Sequence, residues 1–176
     1  MSKRAHPPKP ASRAAAQAAR QALIDRTAPL LEQAIAQVRG GHYETAMEAL
    51  QALIALDAKH EIAIGMLGSV QAELNAPEQA VACFQRVLEI NPGNTLARIQ
   101  LGEQLAALQR PREALAAWAP CLPQPGEFLA HYLSGLALMK LDEIEEARFL
   151  FAKAARFMPP DHEHRAALEQ MLRVLG

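Results

Sequence analysis

The chain has 176 residues, 5% aromatic side chains and a formal net charge of −1. That length suffices for one continuous core, here built from alanine and aliphatic side chains. No run approaches the roughly 18 apolar residues of a membrane span, no phosphate-cradling glycine loop, nucleophile elbow or zinc-binding HExxH is present, and two cysteines, Cys83 and Cys121, make neither a disulfide framework nor a zinc site.

Charge is spread unevenly. Residues 1–26 carry six bases, Lys3, Arg4, Lys9, Arg13, Arg20 and Arg26, against Asp25 alone, whereas the remainder is acidic. Met1 to Pro10 holds Pro7, Pro8 and Pro10 and is expected to be irregular or polyproline-like. From Ser12, a candidate N-cap, the composition turns to Ala, Gln and Arg, which predicts a helix with little to bury. The basic start lacks the continuous apolar core of a secretory signal, so cytoplasmic residence is the default.

Thr27 is expected to cap a separate helix, with Pro29 in its first turn. Leu30, Leu31, Ala34, Ile35 and Val38 follow at helical spacing, and Gly40-Gly41 stops the run. A second helix starts at Tyr43 and presents Ala46, Met47, Leu50, Leu53, Ile54 and Leu56. The plan then repeats. Asn75-Ala76-Pro77 and Gln109-Arg110-Pro111 each separate two helices, with proline tolerated in the opening turn. Asn91-Pro92-Gly93-Asn94 closes one unit and Met158-Pro159-Pro160 another. Pro120 falls where a helix ought to continue, so that helix is predicted to be short or kinked. A last amphipathic helix from about His162 to Leu175 reads as a cap over an apolar end.

Ala34 and Ala46, Gly68 and Ala80, Gly102 and Ala114, and Gly135 and Ala147 are pairs 12 residues apart, and their first members advance by 34, 34 and 33. A small residue repeated at this period is a backbone-packing requirement. The period resembles the tetratricopeptide repeat, a helix–turn–helix unit of 34 residues. The large residue expected near the end of each second helix is Leu50, Phe84, Trp118 and Phe151. The closing proline is matched by Pro92 and Pro159, and by Pro125 if the one-residue deletion lies just before it; Ala58 replaces it in the first unit. The resemblance implies an all-α helical solenoid wound as a right-handed superhelix. It implies repeats at about 27–60, 61–94, 95–127 and 128–161, a capping helix at 162–175, and a basic segment of tail and helix at 1–26.

Candidate chemistry is sparse. Asp161-His162-Glu163-His164 reads as an acid-rich opening turn with solvated histidines, and Asp142 to Glu146 as the favourable negative start of a helix. Catalysis, a metal and a cofactor are not expected. Both cysteines read as buried thiols.

In the resembled family the first helices line a groove for peptides. The matching positions are Leu31, Ile35, Val38 and Arg39 in the first unit, and Ile62, Ser69 and Glu73 in the second. The third contributes Leu96, Ile99 and Glu103, and the fourth Leu129, Tyr132, Leu136, Met139 and Lys140. Most are aliphatic, and exposed apolar patches mark binding sites. A subclass that grips acidic chaperone tails uses basic residues where this chain has Leu31, Ile35, Met66, Leu96 and Gln100, so it is disfavoured. The expectation is a cytoplasmic adaptor or scaffold without catalysis, whose partner is an apolar or amphipathic peptide segment. One alternative is a secretion chaperone: Gln51 to Asp57 before Leu67-Gly68 looks similar to the class II chaperones of type III secretion. Another is an anionic partner held by the basic N-terminus, with salt-sensitive contact and no specific nucleic acid.

Overall fold

The computed structural model describes residues 13–124 and 127–175, and every regular element among them is helical. The Pro-rich segment expected at 1–10, the Ser12 cap and the closing Pro125 lie outside the described residues. The chain divides into two compact units, residues 1–60 and 61–176.

The first unit is a hairpin of α1 (Arg13–Arg39) and α2 (Tyr43–Leu56). Thr27 caps nothing. It is buried inside one continuous helix of 27 residues, and a boundary at 26/27 would fall within that helix. Its hydroxyl donates back to the carbonyls of Leu23 at 3.0 Å and Ile24 at 3.3 Å. Pro29 therefore sits in a helix interior, where it removes one hydrogen bond. The alanine-rich sequence before it has the highest helix propensity and carries the helix through. Gly40-Gly41 does end α1: His42 N–H donates to Gln37 O at 2.9 Å, across Gly41 at φ +72°. This is the left-handed C-terminal turn with its six-to-one hydrogen bond.

The second unit contains three such hairpins. α3 (Glu61–Glu73) pairs with α4 (Pro77–Ile90), α5 (Thr95–Ala107) with α6 (Pro111–Trp118), and α7 (Phe128–Lys140) with α8 (Ile144–Phe157). Each hairpin packs on the next, and α9 (Arg165–Leu175) packs on α8. Asn75, Gln109 and Asp142 occupy the left-handed position that Gly41 holds in the first unit, at φ 56°, 58° and 63°. The same six-to-one bond closes each turn: Ala76 to Gln71, Arg110 to Leu105 and Glu143 to Leu138, at 2.9, 2.9 and 3.0 Å.

Small residues are required where the helices cross. A β-carbon on Gly68 would meet the Phe84 ring at 2.9 Å, and one on Gly135 the Phe151 ring at 2.5 Å. On Gly102 it would collide with the indole of Trp118. That indole is buried and donates from Nε1 to Ile99 O at 3.0 Å. Around it gather Ala80, Val81, Phe84, Leu101, Leu105 and Ala114. A second cluster joins Tyr132, Leu138, Phe151, Met158 and Leu168, so α9 does cover an apolar end.

Three local expectations change. The Asp161–His164 segment precedes α9, and its histidines are half-buried on α7: His162 meets the Phe128 ring edge-on and His164 stacks on Tyr132, both at 5.0 Å. Aromatic surface on α7 holds them out of bulk water. Arg165, not an acid, opens α9, and its Nη1 donates to Ala155 O and Met158 O at the end of α8. Cys121 is fully buried, whereas Cys83 is only partly so and its thiol donates to Gln71 Oε1 at 3.2 Å.

Candidate peptide-binding clefts on the first helices

The first helices of the second unit, α3, α5 and α7, stand side by side. Between α3 and α5 lies a cleft of about 240 Å³, lined by Glu61, Ile62, Gly65, Met66, Ser69, Val87, Asn94, Leu96, Ala97 and Gln100. Gly65 keeps the floor open down to Val87, because a β-carbon there would stand 3.8 Å from the Val87 side chain. Polar bonds across the cleft hold its walls. Gln100 Nε2 donates to Ser69 Oγ at 2.9 Å, and Ser69 Oγ donates to Gly65 O at 3.2 Å. At one end, Glu61 Oε1 accepts from the amides of Asn91 at 2.8 Å and Asn94 at 2.7 Å. Asn94 also caps α5 by accepting from Ala97 N–H. Over these walls stand Ile62, 60% exposed, and Leu96, 67% exposed. Large aliphatic side chains this open to water are the unusual feature, since burial of each is worth about 1.5–3 kcal/mol. Among the described residues no Lys or Arg lines the cleft, which therefore offers none of the cations that a carboxylate tail needs.

A second cleft, of about 180 Å³, separates α5 from α7 and is lined by Glu103, Ala106, Trp118, Leu133, Leu136 and Lys140 among others. Burial pushes the Glu103 carboxyl above the ordinary carboxylate range. Met139 lines a third, between α7 and α9, with Ala167, Met171 and Val174.

The sequence positions thus separate. Ile62, Ser69 and Leu96 share one cleft; Glu103, Leu136 and Lys140 share another. Glu73 is exposed at the end of α3, and Leu129 is partly buried against both core clusters. Ile99 and Tyr132 are corrected: they are 7% and 5% exposed, within the cores around Trp118 and Phe151, and cannot act as open anchors. A 13-residue helix squeezed between two neighbours buries more than one face, so a family position alone does not separate Leu96 from Ile99. Leu31, Ile35 and Val38 are half-buried in the first unit and Arg39 is exposed. Met66 and Gln100, which stand where the chaperone-tail subclass has basic residues, line the first cleft.

Among the described residues, no helix is long and apolar enough to cross a membrane. The family model for the tetratricopeptide repeat matches residues 30–60 and, in a second form, 63–94. No curated protein sequence matches significantly. Solved structures do. A crystal structure of MamA protein superposes with a TM-score of 0.78 at 15% identity, covering 85% of this chain and 80% of that one. MamA from Desulfovibrio magneticus RS-1, residue 41 to its end, gives 0.74 at 22% identity, covering 86% and 89%. YrrB, described as a TPR protein with an unusual peptide-binding site, gives 0.70 at 28% identity, covering 78% and 71%.

Proposed function

Because the chain is a tetratricopeptide-repeat protein, a scaffold for protein–protein interaction, we propose that it is a non-catalytic cytoplasmic adaptor that seats an apolar or amphipathic peptide segment on its first helices. One observation carries the reading: Ile62 and Leu96 stand more than half exposed over the same cleft between α3 and α5. The peptide-binding site attributed to YrrB adds a precedent on a similar fold.

The chemistry follows from the walls. Apolar anchors of the peptide bury Ile62, Leu96 and Met66 at roughly 25 cal/mol per Å², before the cost of association. Gln100 and Ser69 offer hydrogen-bonding groups already held in place, which lowers the ordering cost. Glu73, Glu103 and Lys140 orient the segment by charge, as rim groups do, more than they add affinity. Leu129, Leu136 and Met139 extend the apolar surface along α7. In the first unit, Leu31, Ile35, Val38 and Arg39 are assigned the same role on α1.

The test is selection of peptides from a random displayed library on the intact protein, followed by titration of the selected peptides against Ile62→Glu/Leu96→Glu. We expect at least about a tenfold loss of affinity, equivalent to 1.4 kcal/mol. The helical signal and urea midpoint should stay unchanged, since exposed positions tolerate charge. Selected peptides that bind the double variant as tightly as the parent would place recognition elsewhere.

A further inference from the structure

The second helices carry a different feature. α2, α4 and α8 each run 14 residues, but α6 stops after 8. Pro120 is the cause: it has no N–H to give Ala116, and its ring clashes with that carbonyl. The chain instead makes a 3-10 turn over Ala119–Cys121. The helical turns missing from α6 leave a cleft of about 540 Å³ against α8. Leu115, Leu122, Leu138 and Leu150 line it, and Phe149, 60% exposed, stands at its mouth. Its rim is acidic through Glu145 and Glu146. Glu145 is paired with Arg148 at 2.8 Å, while Glu146 forms no ion pair among the described residues. One turn further along α8, Lys153 Nζ lies 4.6 Å from the centre of the Phe149 ring. An occupant that fits has an apolar anchor with a base one turn away.

The chain itself contains one. α1 is roughly 40 Å long and α2 roughly 21 Å, at 1.5 Å per residue. Thr27 and Ala34 are the buried residues of α1, and from Arg13 to Arg26 every residue is exposed except the half-buried Leu23. The arm is basic, because Arg13, Arg20 and Arg26 outnumber Asp25, whose carboxylate accepts from Gln21 Nε2 at 2.8 Å. Ile24 is 45% exposed, with Arg20 one turn before it on the same face. An alanine-rich helix with so little to bury is marginal without a surface to lie on.

We propose that the α1 arm of one copy docks in the α6–α8 cleft of a second copy, with Ile24 entering between Leu122 and Phe149 and Arg20 facing Glu146. Two different surfaces meet, so the contact is head-to-tail and continues from copy to copy unless the rotation closes a ring. The patch is small, so association is weak and depends on concentration and salt. It is independent of the α3–α5 cleft and leaves Ile62 and Leu96 untouched.

Sedimentation velocity of the full chain over a wide concentration range tests it. The expected result is a sedimentation coefficient that rises with concentration and falls back when salt is added. Ile24→Glu and Phe149→Ser should each hold the protein monomeric with an unchanged helical signal. Arg20→Glu or Glu146→Arg alone should weaken association, and the two together in one chain should restore it. Association that persists in Ile24→Glu, or is not restored by the charge exchange, overturns the proposal. So does a monomer at every concentration.

Discussion

Gly102 has no room for a methyl group, because its would-be β-carbon falls on the buried indole of Trp118. Gly68 and Gly135 meet Phe84 and Phe151 in the same way. The partner is always 16 residues on, four past the alanine that the repeat spacing pairs with the glycine. In the first hairpin the equivalent pair is Ala34 and Leu50, both fully buried. Glycine therefore goes with an aromatic ring and alanine with leucine: one methyl gained on the first helix is matched by a smaller side chain on the second. Gly102→Ala should cost about 1–3 kcal/mol or more by overpacking, and it should displace the indole from Ile99 O. Combined with Trp118→Leu it should cost almost nothing further. Urea unfolding of the two single variants and the double variant measures this coupling.

The turns within hairpins show what an element demands of its last residue. Gly41, Asn75, Gln109 and Asp142 all adopt positive φ. Glycine does so freely and asparagine and aspartate tolerate it, whereas glutamine is strained there. Gln109→Gly is expected to stabilise by up to about 1 kcal/mol, less the added entropy of the unfolded chain. Asn75→Gly should gain less. Urea midpoints of the two variants decide it, and an equal or reversed order would show that the Gln109 side chain has a stabilising role of its own. Proline acts by context too. Pro77 and Pro111 open helices, Pro29 is absorbed into one, and Pro120 ends one.

At the scale of the molecule, adjacent positions on a single helix have different fates. Leu96 is 67% exposed on α5, whereas Ile99, three residues on, is 7% exposed beside Trp118. Glutamate at 96 should leave the fold intact. Ile99→Glu buries an unpaired charge in the core of residues 61–176 and should unfold that unit cooperatively. Thermal melts followed by helical signal compare the two directly. A stable Ile99→Glu would mean that this core opens far more easily than its packing implies.

The repeat itself was legible in the sequence. Small residues 12 apart, large residues at the ends of second helices and prolines between units follow from backbone geometry that each hairpin must satisfy locally. The short α6 was legible as well, because a proline inside a helix has a local cost. The continuity of α1 through Pro29 was not, since it depends on a sum of propensities and on a hydroxyl turned back onto Leu23 and Ile24. Nor was the division of the first-helix residues. Ile62 and Leu96 stay open while Ile99 and Tyr132 are buried because each helix is covered by two neighbours at once. Helical period ranks residues by face, but only the packed neighbours decide how wide the uncovered face is. The cleft around Phe149 arose from the same cause: Pro120 announces a missing turn, and the tertiary structure alone shows which side chains that turn leaves uncovered.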